Sequence, residues 1–205
     1  MPTSRAKRQS GKTTWALLLA PGASASKDQT ALVEIDRAAS AEGGQVRRMD
    51  FPYRAAGRRA PDKAEVLVRA VVEEAGGLGA EAHLPPGRIF AGGRSMGGRI
   101  CSMAVAEGMP AAGLVLVSYP LHPPGKPDRM RTEHFGRLEV PCLFVSGTRD
   151  AFATPAELEE AVALIPGKVS LHWVEGGDHG LRGRDGPVAT VVASWLADQV
   201  AAFGE

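Results

Sequence analysis

Arg88-Ile89-Phe90-Ala91-Gly92-Gly93-Arg94-Ser95-Met96-Gly97-Gly98-Arg99 is the stretch that decides how this chain reads. Its first five residues form a short apolar run of strand type, and Met96 to Glu107 continue in a helical pattern. Between the two stands Gly93-Arg94-Ser95-Met96-Gly97, a G-x-S-x-G. A serine at such a strand–turn–helix junction sits on a sharp, strained turn that pushes its hydroxyl out at the top of a sheet. The glycines around it let the strand end and the helix start approach without Cβ clashes. The pentapeptide alone is a weak signal. With 25 Gly in 205 residues, chance produces it about once in several such chains, and the plainer reading is a Gly-rich turn capped by serine. The surroundings have to decide.

On either side of it, short apolar runs alternate with longer helical patterns. The strand candidates are Trp15–Ala20, Val46–Asp50, Arg88–Gly92, Gly113–Ser118, Pro141–Gly147 and Val169–Val174. The helix candidates are Gln29–Glu42, Pro61–Glu74, Met96–Glu107, Pro155–Leu164 and Val188–Phe203, with a shorter one inside Arg129–Arg137. Leu32, Ile35 and Ala39, and again Val68, Val71 and Val72, recur at helical spacing. Continuous apolar strands between helices predict an α/β doubly wound fold: about six mostly parallel strands with helices on both faces. Residues 15–205 read as one domain, and residues 1–14 as a flexible, basic N-terminal segment.

Composition sets bounds. The chain is 44% hydrophobic and 23% charged, with a formal net charge of +1. That balance gives no electrostatic case for nucleic acid or membrane partners. Cys101 and Cys142 lack metal-ligand spacing, and no metal or cofactor is expected. Both fall in buried segments, which suits free thiols in a reducing cytoplasm and leaves a Cys101–Cys142 bridge open. Two features near the N-terminus imitate other signals. Arg5, Lys7, Arg8 and Lys12 followed by Trp15–Ala20 resemble a secretion signal, but six apolar residues before Pro21 are too few, and a buried strand is expected. Gly11-Lys12-Thr13 resembles the end of a phosphate loop, but Ala6 stands where its first glycine belongs.

Sites in such sheets lie at the carboxyl ends of strands, and four of these ends are chemically distinctive. One carries Ser95. A second, after Pro141–Gly147, reads Thr148-Arg149-Asp150; its plainer reading is Asp150 as the cap of the next helix. A third, after Val169–Val174, reads Gly176-Gly177-Asp178-His179-Gly180; its plainer reading is a solvated loop histidine. Together they give the chain order serine, acid, histidine. A serine hydroxyl needs a base in contact; His179 is that base and acid, and Asp150 orients it, with Asp178 the rival. The fourth end, Pro21-Gly22-Ala23, would supply one oxyanion donor, the Ala23 N–H, beside that of Met96.

At this point the residues match a known group. Phe51-Pro-Tyr-Arg54, Gly57-Arg-Arg-Ala-Pro-Asp62, Gly92-Gly-Arg-Ser-Met-Gly-Gly-Arg99, Tyr119-Pro-Leu-His-Pro-Pro-Gly-Lys-Pro127, Arg131-Thr-Glu-His134 and Gly177-Asp-His179 span nearly the whole chain. They resemble small, lidless α/β hydrolases related to dienelactone hydrolases. The group includes the hydrolase-like domain of a subunit of the animal NSL histone acetyltransferase complex. The resemblance implies an α/β-hydrolase fold and a triad at Ser95, Asp150 and His179. The chain departs from the group's usual His-Gly oxyanion loop, having Pro21-Gly22. Two functions follow: a serine hydrolase for a small carboxylic ester or thioester, or a silent hydrolase-like interaction module. Acyl transfer or amide hydrolysis on the same triad is a third, weaker option.

Only about nineteen residues separate Ser118 from Leu138, too few for a lid domain. An open site for short acyl groups is therefore expected. Arg58, Arg59, Arg94, Lys126, Arg129 and Arg131 lie toward the strand-end side, where arginine could bind a carboxylate. A solvated surface is the plainer reading for most of them. Arg94, beside the nucleophile, is the best candidate for substrate binding. His122 either lines the pocket or braces its proline-rich loop. Oligomeric state is not written in the sequence.

Overall fold

The computed structural model describes residues 13–204. The segment expected to be flexible falls almost wholly outside them, as do Gly11 and Lys12. Six strands form one parallel sheet: β1 (Ala16–Ala20), β2 (Gln45–Arg48), β3 (Ile89–Arg94), β4 (Gly113–Val117), β5 (Cys142–Gly147) and β6 (Val169–Val174). Their order in space is β2-β1-β3-β4-β5-β6. Six helices accompany them: α1 (Thr30–Ala41), α2 (Pro52–Ala55), α3 (Ala64–Ala82), α4 (Met96–Ala106), α5 (Pro155–Val162) and α6 (Asp185–Ala201).

Alternation along each strand divides the core. Leu17 and Leu19 point to one face with Trp15, Phe90, Val115 and Val145, where α1 and α6 cover them. Ala16, Leu18 and Ala20 point to the other with Ala91, Leu116 and Phe144, where α3, α4 and α5 cover them. Trp15-Ala-Leu-Leu-Leu-Ala20 is thus buried on both faces, and it makes the strand expected of it. Each fully buried leucine contributes about 1.5–3 kcal/mol.

The edge strands differ from the expected apolar runs. Every residue of β2 is half-buried, and its Arg47 and Arg48 pair with Glu74 and Glu81 and with Asp28 and Asp36. In β6, His172 is exposed. Charge on an edge blocks pairing with a further strand, so only the four inner strands need be apolar throughout.

Three elements depart from expectation. Helix α3 runs to Ala82 rather than ending near Glu74. Its Gly76, Gly77 and Gly79 look like terminators, yet a Cβ on Gly79 would stand 2.7 Å from Ile89 Cδ1. That glycine is there so that β3 can approach the helix. The helix stops at His83, whose φ of 53° is left-handed. Helix α2, seeded by Pro52 at its first turn, was not expected. Within 129–137 only a short 3-10 turn forms, Phe135–Arg137.

The chain between β4 and β5 makes no lid. It packs down, with Tyr119 and Phe135 5.3 Å apart and both against Phe144 of β5. Because β2 and β3 flank β1 on opposite sides, the strand order reverses at β1, and a crevice opens at the carboxyl ends beside it.

Candidate active site

The crevice is built from backbone outward. At the end of β3 the chain turns through Ser95, with φ 52° and ψ −119°. A non-glycine residue held there costs about 1–3 kcal/mol. The Ser95 N–H donates to Val117 O at 2.9 Å, which ties the turn to β4. A Cβ on Gly97 would collide with the Ala20 carbonyl oxygen. Glycine at that position is what lets α4 start directly over β1.

Two other strand ends bring their side chains here. The loops after β5 and β6 are joined by Arg149 N–H to Gly177 O at 2.8 Å and Thr148 N–H to Val174 O at 3.1 Å. Asp150 is buried, and its Oδ1 accepts the Phe152 N–H at 2.8 Å. His179 Nδ1 lies 2.8 Å from Asp150 Oδ2 and 3.0 Å from Oδ1. A carboxylate only accepts, so Nδ1 carries the proton and Nε2 is left as an acceptor. Ser95 Oγ lies 2.9 Å from Nε2. The structure thus brings together Ser95, His179 and Asp150, residues from three separate loops.

The alternatives at each position resolve physically. Asp150 does not cap α5; Thr154 does, its hydroxyl accepting the Glu157 N–H in a capping box. Asp178 is exposed and bonds neither His179 nitrogen. Cys101 and Cys142 are free and buried, and burial pushes both thiols up to about 12. No helix among the described residues is long and apolar enough to cross a membrane.

The pocket beside Ser95 has a volume of about 680 Å³ and is lined in part by Ala23, Met96, Arg94 and His179. Met96 is the first residue of α4, where backbone N–H groups have no helical acceptor. Among the described residues, no protein acceptor engages the Ala23 or Met96 amides. Gly22 N–H bonds Gln29 Oε1 at 3.3 Å, and Tyr53 Oη donates to Ala23 O at 2.6 Å. These two bonds hold the Pro21-Gly22-Ala23 loop without a histidine.

Arg94 Nη2 donates to the His179 carbonyl at 2.5 Å. Its first visible work is therefore to brace the histidine loop, although it also lines the pocket. Burial lowers its pKa, and Asp185, Asp150 and Asp178 offset this. His122, the other candidate for substrate binding, is absent from the lining of this pocket. Its Nδ1 faces Pro123 O at 2.9 Å and its Nε2 faces Glu157 Oε2 at 3.2 Å, so it braces the loop. Burial lowers the His122 pKa, but these two acceptors together outweigh it and raise the value overall.

Two residues were missed from sequence. Phe152 stacks on the His179 ring with centroids 3.9 Å apart and planes 26° apart. No pattern in the chain announces it. Arg99 lines the pocket; its signal was its place four residues after Ser95, on the same helical face.

A family model for the alpha/beta hydrolase domain matches residues 13–203. The chain belongs to the α/β hydrolase family. Solved structures share the fold of this α/β hydrolase at low identity. Est1E from Butyrivibrio proteoclasticus, solved with ferulic acid bound, superposes with a TM-score of 0.79 at 13% identity, over 95% of this chain and 92% of that one. A serine hydrolase homologue from Coxiella burnetii gives 0.74 at 17% identity, over 90% and 86%. Dienelactone hydrolase from Anabaena variabilis gives 0.71 at 17% identity, over 93% and 89%.

Proposed function

We propose that this protein is a serine hydrolase that cleaves small carboxylic esters or thioesters through an acyl-enzyme. The observation that carries the reading is the unbroken hydrogen-bond chain from Ser95 Oγ through His179 to buried Asp150, opening into the pocket. Ser95 Oγ attacks the carbonyl carbon while His179 Nε2 takes the hydroxyl proton. Negative charge develops on the carbonyl oxygen, where the Ala23 and Met96 amides donate to it. Asp150 holds the imidazole and stabilises it once charged. His179 returns the proton to the leaving alcohol or thiol, and the acyl group stays on Ser95. Water, deprotonated by the same nitrogen, then releases the acid and restores the serine. The site's small substrate, and the cytoplasm as its setting, rest on the pocket and on the two free thiols.

The likeness to the group that includes the NSL-complex domain rests on the shared motifs. Turnover separates the enzyme from an interaction module. A fluorophosphonate probe is expected to label the protein, and Ser95→Ala to abolish labelling and lower kcat by about 10⁴–10⁶. Folded protein that stays unlabelled would count for the interaction module.

A further inference from the structure

The pocket beside Ser95 holds three arginines, and they are not equivalent. Arg94 is occupied by the His179 carbonyl and sits in the fields of three aspartates. Arg99 and Arg131 also line the pocket. Among the described residues, neither forms an ion pair. The Arg131 guanidinium has one hydrogen bond, from Nη1 to Pro120 O at 3.3 Å. Arg99 Nε is buried with no acceptor at all. Burial, and then the neighbouring Arg99 charge, lower the Arg131 pKa. The acidic residue in the pocket lining, Asp62, is held by Arg58 through bonds of 2.6 and 3.0 Å. Glu133 is exposed and acts on Arg131 without pairing with it. Two adjacent half-buried cations, one with an orphaned donor, are unfavourable until an anion joins them.

We infer that Arg99 and Arg131 form an anion subsite, and that the substrate is an ester or thioester bearing a carboxylate or phosphate. The inference rests on the hydrolase reading of Ser95 and adds the substrate's charge to it. Arg99 follows Ser95 by four residues on α4, so its Cα lies about 6 Å further along the helix axis. An anion held there is several bonds away from a carbonyl at Ser95 Oγ. Ile100, Met96 and Leu67 line the same pocket and suit the apolar link between them. The forked guanidinium fits the paired oxygens of a carboxylate or phosphate. The segment from Tyr119 to Arg131 has a role in this. Tyr119 Oη donates to Arg131 O at 2.8 Å, and Arg131 N–H donates to Leu121 O at 2.8 Å. Those bonds fix the backbone that carries the second arginine.

The test compares mono-4-nitrophenyl glutarate with its neutral methyl ester. The wild-type protein should favour the charged ester in kcat/KM by about 10- to 100-fold. Arg99→Gln and Arg131→Gln should each pull that ratio toward one, and Arg99→Lys should keep part of it. A wild-type ratio of one overturns the inference, and so does a preference that neither glutamine variant moves. A binding arm separates this from the hydrolase reading. Calorimetric titration of Ser95→Ala protein with glutarate and with inorganic phosphate should show binding of one of them, lost in Arg99→Gln. The stronger of the two names the anion, and heat from neither overturns the subsite. If the wild-type serine resists the fluorophosphonate while the anion still binds through Arg99, the hydrolase reading falls and the subsite stands.

Discussion

A second serine–histidine pair, Ser102 with His134, shows how burial decides what such a pair does. Their Oγ and Nε2 are 2.7 Å apart, as close as at Ser95 and His179. Ser102 Oγ donates to Arg99 O at 2.8 Å, so His134 Nε2 carries the proton and donates to the serine. Both residues are buried, and burial first, then the Arg99 charge, hold the His134 pKa down to about 4. The pair is structural and ties the loop after β4 to α4. It also has a pH signature. The unfolded chain binds a proton at His134 below about pH 6.5, whereas the folded protein refuses it until about 4. The contribution of this group to stability is therefore full above about pH 6.5 and is lost as pH drops toward 4. By urea unfolding, the drop between pH 7 and 4.5 should be on the order of 2 kcal/mol smaller in His134→Gln than in wild type. At this scale Ser95, Asp150 and His179 were legible, because their order and their strand-end places are local properties. Phe152 and the orphaned Arg99 donor were not, because stacking and desolvation are made by neighbours distant in sequence.

At the scale of elements, α5 matters beyond its eight residues. Thr154 bonds to Glu157 hold that carboxylate down to about 2, and His122 adds to this. The same helix start thereby fastens His122, whose N–H donates to Phe152 O at 3.1 Å, next to Asp150. Replacing Thr154 by alanine should cost about 1 kcal/mol. In a thermal melt that should appear as a fall of about 2–4 °C. The elements also show where periodicity misleads. The helix expected over Pro61–Glu74 in fact continues through Gly76, Gly77 and Gly79, because glycine propensity is local while the packing of Gly79 against Ile89 is not. Strands β1 and β3–β5 read correctly, because burial on both faces leaves an unbroken apolar run.

For the molecule as a whole, the missing lid is the property with consequences for substrate. The chain between β4 and β5 folds down onto Phe144 and supplies a wall of the pocket, with Pro120 and Arg131 in its lining. Among the described residues no helical cap covers Ser95, so the far end of a long acyl chain would lie in solvent. Among 4-nitrophenyl esters, kcat/KM should peak at acyl chains of about two to six carbons. A rising series up to laurate would contradict the open site.

The alternation of strands and helices, the elbow at Ser95 and the strand-end places of Asp150 and His179 are all legible in the unfolded chain. Each of these is written in a few adjacent residues, as periodicity, turn chemistry or order along the chain. Folding settles the rest: Asp150 rather than Asp178 faces His179, Arg94 braces a loop, His122 is absent from the pocket lining, and Arg99 and Arg131 form no ion pair among the described residues. Those outcomes depend on which loops the sheet sets side by side and on which charges they leave dry. Distances and desolvation exist only once the chain has folded.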